Sequence, residues 1–401
     1  MAAASAAADI EARFELDLAP GAGLTSAQIV VRQGDGALRE LVLDGTRLEK
    51  VTGDGQVRVD GKRVRWLPPA GGGTLSYRVP LSHRRQGTSA PGNDAYVGET
   101  FAIFRGDDAF PVTSWRRARG STLDGELAIG LPRGWSLITP YLPNALGRLP
   151  IRNPGTRLPR PIGWIIAGDI GTRRDTIAGI EITVSAPRGL RMERIAMLGL
   201  LRWTLPELVA PLTGGKERPP GSRYLNIVAA AEPMWLGALS APNSLFVHAD
   251  RPLISENGTS TVVHEMVHVL LADLDTPRDQ DWIDEGLAEY LSLRALRDSG
   301  TISAARYEAT IASFRRWGGQ AKSLRTAASS GPVTARAVAV FHDLDAELRQ
   351  ASGGKQTVAT LVRGFLDQDR QASLASLRAA AGKVTGKLPR ALRAAAVPGL
   401  D

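Results

Sequence analysis

Two histidines four residues apart, with a glutamate between them, are the side chains of this sequence best suited to chemistry. They lie in Thr261-Val-Val-His-Glu-Met-Val-His-Val-Leu-Leu271 as His264-Glu265-Met-Val-His268. On an α-helix, positions i and i+4 share a face about one turn apart, so both imidazoles can reach one ion. Glu265 follows the first histidine and is angled toward the open side of such an ion, where a carboxylate can hold and deprotonate a water. The pattern is rare. With 5 histidines in 401 residues, random placement yields on the order of 0.003 such patterns per chain. The surroundings predict a helix: Asn257-Gly258-Thr259 offers caps, and Val263, Met266, Val267 and Leu270 form an apolar stripe.

A second stretch, Asp281-Trp-Ile-Asp-Glu-Gly-Leu-Ala-Glu-Tyr290, supports the first. Between the two, Asp273, Asp275, Thr276 and Pro277 supply the chemistry of a turn. A second helix would then run through Ala288, Tyr290, Leu291 and Leu293, with Asp281 and Asp284 both candidates for its N-cap. Glu285 would project from its first turn toward the histidine pair as a third ligand. Three protein ligands with one open position is the catalytic arrangement of zinc; structural sites are closed by four. Glu289, one turn beyond Glu285, is placed to accept the spare N–H of a ligating histidine, which fixes that ring's tautomer.

Together the two stretches resemble the gluzincin metallopeptidases, and in particular the glycyl aminopeptidase and peptidase MA-like groups. Aminopeptidase N and thermolysin are more distant. The resemblance implies that His264, His268 and Glu285 bind Zn2+ and that Glu265 is the general base. It also implies an α+β architecture: an N-terminal antiparallel β-sandwich, then a thermolysin-like catalytic domain with a helical C-terminal subdomain walling the cleft. The expected divisions are residues 1–150, 151–300 and 301–401.

The rest of the chain is consistent with that plan. From residue 10 to about 145, alternating segments such as Ile10–Leu18, Gln28–Arg32, Leu41–Leu43, Val57–Val59 and Thr74–Val79 are separated by Gly34-Asp-Gly36, Gly53-Asp-Gly55 and Asp60-Gly61. This is period-two patterning with turns at sandwich spacing. Gly125–Thr139 reads as the closing strands, and the Pro- and Arg-rich stretch 145–161 as a linker. Strands are expected at Gly163–Ala167, Ile177–Ser185, Tyr224–Ala230 and Ser244–Ala249. A helix is expected from Met192 to about Leu212.

Composition sets broader limits. The chain is 43% hydrophobic and 22% charged, has no cysteine, and contains no run of 18 apolar residues. Disulfides, thiolate ligands and cysteine catalysis are thereby excluded, and no membrane span is expected. The net charge of +8 comes from 49 basic and 41 acidic residues. The basic residues are scattered without interleaved aromatics, so nucleic acid is not the expected partner; a peptide or protein substrate is. The opening Met-Ala-Ala-Ala-Ser has no basic n-region or long apolar h-region, and reads as the start of a trimmed mature chain in a periplasmic or secreted protein.

Two departures from the resembled family bear on activity. Where aminopeptidase N relatives carry an acid that holds the substrate amine, this chain has Leu236-Gly-Ala-Leu-Ser-Ala-Pro-Asn243, with none. Where relatives carry a tyrosine that donates to the oxyanion, counting back from Leu344-Asp345 places Thr334. No tyrosine follows Tyr307. Tyr307 and His342 are the candidate substitutes, since losing one oxyanion donor typically costs ~10²–10³ in turnover. The alternative to an enzyme is a zinc-retaining homologue, impaired in catalysis, that acts as a binding or scaffold protein.

Overall fold

Alternation of buried and exposed residues builds the first half of the chain. Ile10–Asp17 buries Ile10, Ala12, Phe14 and Leu16 and turns the intervening residues outward, as a strand with one covered face must. In the computed structural model, which describes residues 9–86, 91–153, 159–216, 223–368 and 371–400, this strand sits inside a six-stranded sheet. It pairs antiparallel with Thr25–Gln33 and parallel with the distant Leu123–Gly130.

A four-stranded sheet of Val112–Arg117, Leu38–Asp44, Arg63–Leu67 and Gln56–Asp60 shares the same core. Its contributions include Leu41, Leu43, Val64 and Trp66, beside Phe14, Ile29, Leu75 and Tyr77 of the six-stranded sheet. The turn signals divide into two kinds. Asp60-Gly61 closes a true hairpin, with Asp60 opposite Arg63 and Gly61 at φ 54°. Gly34-Asp-Gly36 and Gly53-Asp-Gly55 instead carry the chain from the six-stranded to the four-stranded sheet.

A third sheet was not anticipated. It comprises Ser136–Ile138, Trp164–Gly168, Phe101–Arg105, Asn93–Val97 and His83–Arg84. Residues 145–161 are also not merely a linker: Leu149–Pro150 adds an edge strand to the six-stranded sheet, while 154–158 lie outside the described residues.

A fourth sheet has the order Ile170–Ile177, Ile180–Pro187, Tyr224–Ala230, Ser244–His248, Ala238–Ala241. Tyr224–Ala230 is buried along its whole length and pairs parallel with Ser244–His248. Ala238–Ala241 is the edge strand, antiparallel to Ser244–His248, with Ser240 opposite Leu245.

No strand follows His248 among the described residues. Helices run over Thr261–Leu270, Trp282–Asp298, Ala304–Gly318, Pro332–Ser352, Val358–Leu366 and Leu374–Thr385. An earlier helix, Arg194–Thr213, is long and apolar enough to cross a membrane by length and composition, with half of that window buried in the protein. By backbone proximity the chain forms two compact units. One is Met1–Arg174, Ile182–Arg194 and Pro220–Asp250; the other is Asp175–Glu181, Ile195–Pro219 and Arg251–Asp401.

Candidate metal centre

The histidine pair rides on the helix Thr261–Leu270, hereafter the motif helix. Val262, Val263, Met266, Val267 and Leu270 are buried, which fixes the helix's rotation and aims the remaining face, with His264 and His268, at its neighbour. The N-cap is Ser260 rather than the Asn257-Gly258-Thr259 group: its side chain accepts from the Val263 N–H at 3.4 Å. Asn257 instead closes a local turn onto Thr259. The link to the next helix turns at Pro277, whose carbonyl accepts from the Gln280 N–H.

The helix Trp282–Asp298, the glutamate helix, brings Glu285 and Glu289 to that face. It is clamped by Pro332–Ser352, the backing helix. Trp282 stacks on Phe341 with ring centroids 5.6 Å apart and planes 26° apart. A Cβ at Gly286 would meet the Ala337 Cβ at 2.5 Å. Glycine at 286 is therefore a packing requirement, letting two helices approach beside Glu285, the third member of the cluster. We expect Gly286→Val to destabilise the fold by about 1–3 kcal/mol through overpacking. Urea unfolding would measure it, and a midpoint equal to wild type would refute the argument.

Three side chains converge. The Nε2 atoms of His264 and His268 are 3.2 Å apart; Glu285 places Oε2 3.6 Å from the former and Oε1 3.5 Å from the latter. All three offer a ligand atom within 4.8 Å of the others. For metal–ligand bonds of about 2.0–2.2 Å in a tetrahedron, neighbouring ligand atoms lie roughly 3.3–3.5 Å apart. The cluster has that size.

The outer nitrogens of the rings are both engaged. His264 Nδ1 donates to Glu289 Oε2 at 2.8 Å, as the sequence predicted. This leaves the Nε2 lone pair free to point inward. His268 Nδ1 lies 3.4 Å from Asp284 Oδ2, a pairing that sequence reasoning missed. Asp284 had been a candidate N-cap, but Asp281 takes that position, and its carboxylate accepts from the Ser329 N–H instead of capping its own helix. The available signal was the acid directly preceding Glu285.

Burial works against charge on His264, but hydrogen bonds to Glu285 and Glu289 outweigh it and raise its pKa well above 6.5. Burial likewise opposes charge on His268; the Asp284 carboxylate more than compensates and raises its pKa too. Glu265 is buried, 8% exposed, on the same helix. We expect Asp284→Ala to weaken metal affinity by about 10–100-fold, as loss of a partner behind a ligating histidine typically does. Competition with a chromogenic chelator would show it, and wild-type affinity would contradict it.

Neither candidate for the missing tyrosine joins this cluster. Tyr307 and His342 pack on each other, with centroids 6.1 Å apart. The Arg294 guanidinium lies over the Tyr307 ring, and Arg315 bonds to His342 Nδ1 at 3.1 Å. Thr334 sits in the first turn of the backing helix.

No protein-family model matches the sequence, and no match is found among curated proteins. Solved structures do match. An M1 zinc metallopeptidase from Deinococcus radiodurans superposes with a TM-score of 0.65 at 15% identity, over 97% of this chain and 93% of that one. The fold is that of the M1 zinc metallopeptidases. An aminopeptidase N family protein from Idiomarina loihiensis shares the M1 fold with a TM-score of 0.63 at 15% identity, covering 90% of this chain and 70% of that chain. A Legionella pneumophila aminopeptidase A in complex with aspartic acid gives a TM-score of 0.55 at 13% identity, over 98% and 50%. A mutant of the Deinococcus enzyme is bound to a Tyr-Ser-Ala substrate.

Proposed function

We propose that this chain is a zinc-dependent peptidase, with His264, His268 and Glu285 holding the ion and Glu265 as general base. The observation that carries the reading is the size of the three-residue cluster, with nitrogen and oxygen atoms 3.2–3.6 Å apart. A zinc ion bound there supplies Lewis acidity, polarising a carbonyl and bringing the pKa of a water toward ~7. Glu289 and Asp284 hold the two rings with their inner nitrogens unprotonated. Glu265 takes the proton of the attacking water and delivers it to the leaving amine. The M1 fold, and the tripeptide bound by a neighbour of that fold, support a peptide as substrate class.

The direct test is metal content, by elemental mass spectrometry, on protein prepared without chelator beside a His264→Ala control. About one zinc per chain, lost in the control, is the expected result for a site of this type. No zinc in the wild type after reloading would overturn the assignment.

A second reading is favoured by one observation: Tyr307 and His342 lie in their own cluster, and Thr334 stands where the family's oxyanion donor is expected. In that reading the chain keeps zinc but binds peptides without cleaving them. Cleavage of a diverse peptide library, abolished by chelator and restored by zinc, would exclude it.

A further inference from the structure

We propose that Asp281 is a positioning residue for the metal centre: its carboxylate ties the start of the glutamate helix to the loop 324–329 and so sets where Glu285 stands. The inference rests on the assignment of His264, His268 and Glu285 as zinc ligands. Glu285 lies in the first turn of its helix, with Asp284 beside it. A first turn is the part of a helix that frays, because its N–H groups have no partner within the helix. A ligand placed there needs an anchor outside the helix.

The usual anchor is a side-chain cap, and an aspartate does occupy the N-cap position. It makes no cap hydrogen bond. Instead its carboxylate accepts from the Ser329 N–H, and its own N–H donates to the Thr326 carbonyl at 3.3 Å. The Asp281 carbonyl in turn accepts from the Glu285 N–H at 3.1 Å. A continuous run of hydrogen bonds therefore leads from the loop, through Asp281, to the backbone of Glu285.

The loop is itself well held. The Asp279 carboxylate accepts from Arg325 Nη1 at 2.6 Å, and the Asp279 carbonyl from the Thr326 N–H at 2.9 Å. On the far side, the N–H of buried Leu324 donates to the Pro398 carbonyl at 2.8 Å, and Arg325 Nε donates to the Gly399 carbonyl at 3.3 Å. The backing helix follows directly, at Pro332. The glutamate helix is thus fixed twice to one stretch of chain, by packing at Gly286 and by hydrogen bonds at Asp281. The place is not a comfortable one for a charge. Burial raises the Asp281 pKa; the bonds to Ser329 work against the rise, and Glu285 and Asp284 add to it. A neutral acceptor of the same shape would make the hydrogen bond without that cost, which allows bond and charge to be told apart.

The experiment compares full-length Asp281→Ser and Asp281→Asn with wild type. Three measurements are made: competition for zinc with a chromogenic chelator, visible absorption of the cobalt(II)-loaded protein, and thermal unfolding without metal. Serine caps a helix about as well as aspartate but is too short to hold the Ser329 N–H; asparagine can hold it. We expect Asp281→Ser to bind zinc about tenfold more weakly, the low end for a group that orients a ligand. Its cobalt bands should change in intensity, because they report ligand geometry, while its unfolding midpoint stays near that of wild type. Asp281→Asn should restore both metal measurements. Wild-type affinity or wild-type bands in Asp281→Ser would overturn the proposal and leave the zinc assignment standing. Equal losses in the two variants would assign the effect to charge and overturn it as well. Failure of the wild type to take up zinc would overturn the assignment and the proposal together. If Asp281→Ser does not fold, Arg325→Gln, which releases Asp279 and the Gly399 carbonyl, decides: weaker zinc and altered bands support the proposal, and wild-type values overturn it.

Discussion

Glu265→Gln is expected to retain about one zinc per chain while lowering peptide turnover by about 10²–10⁴-fold, the usual contribution of a positioned general base. Glutamine keeps the shape of a side chain that is 8% exposed on a helix whose other faces are packed, so the histidines should stay where they are. What it removes is the capacity to accept a proton. Metal analysis and steady-state kinetics on the same preparation separate the two effects. Substantial turnover in the variant would take Glu265 out of the role. Loss of zinc would make it a structural residue of the site.

Zinc should stabilise the fold, and the stabilisation should grow as pH rises. In the metal-free chain, burial opposes charge on both histidines, but the Glu285, Glu289 and Asp284 carboxylates raise their pKa values above 6.5. A group whose folded pKa exceeds its unfolded value contributes stability that is complete below the unfolded value, near 6.5. That contribution is lost as pH climbs through the raised folded value. The metal-free midpoint should therefore fall across that window. Zinc must displace the same protons, so its affinity should increase over the same interval. At free zinc of about 100 times Kd the gain is roughly 2.7 kcal/mol. Calorimetry with and without zinc over a pH series would show the two curves diverging. An increment that ignores pH would mean that the metal binds elsewhere.

Much of the site was legible because its signals are local. The motif helix needs only the spacing of His264 and His268 and an apolar stripe, and Glu289 follows from one helical turn. The sequence leaves Asp281 and Asp284 both open as N-caps and is silent on the pairing of Asp284 with His268, because a carboxylate in a helix's first turn has an ordinary explanation, capping and the helix dipole. Only the packing of two helices shows that Asp284 faces His268. Gly286 carries the same lesson: the closeness of Ala337, 51 positions later in the sequence, is a tertiary fact. In the β-rich half, Ile10–Asp17 and Gly72–Val79 announced themselves by alternation. Phe101–Arg105 did not, because its three central residues, Ala102, Ile103 and Phe104, are all buried, and an unbroken apolar run is ambiguous by periodicity. Turn residues marked where the chain bends but not which sheet it enters next. Gly34-Asp-Gly36 looks like a hairpin signal, yet it changes sheets.

The parallel pairing of Ile10–Asp17 with Leu123–Gly130 sets an order of events during synthesis. The second strand of the chain can find the first at once, but the sheet lacks a neighbour on the other side of Ile10–Asp17 until Leu123–Gly130 has emerged. Until then the first strand presents an open edge capable of pairing with another nascent chain. Trimming into it would leave Leu123–Gly130 and Thr25–Gln33 with no strand between them. An N-terminal affinity tag or shortened expression boundary therefore has to stop before Ile10 if the first unit is to assemble.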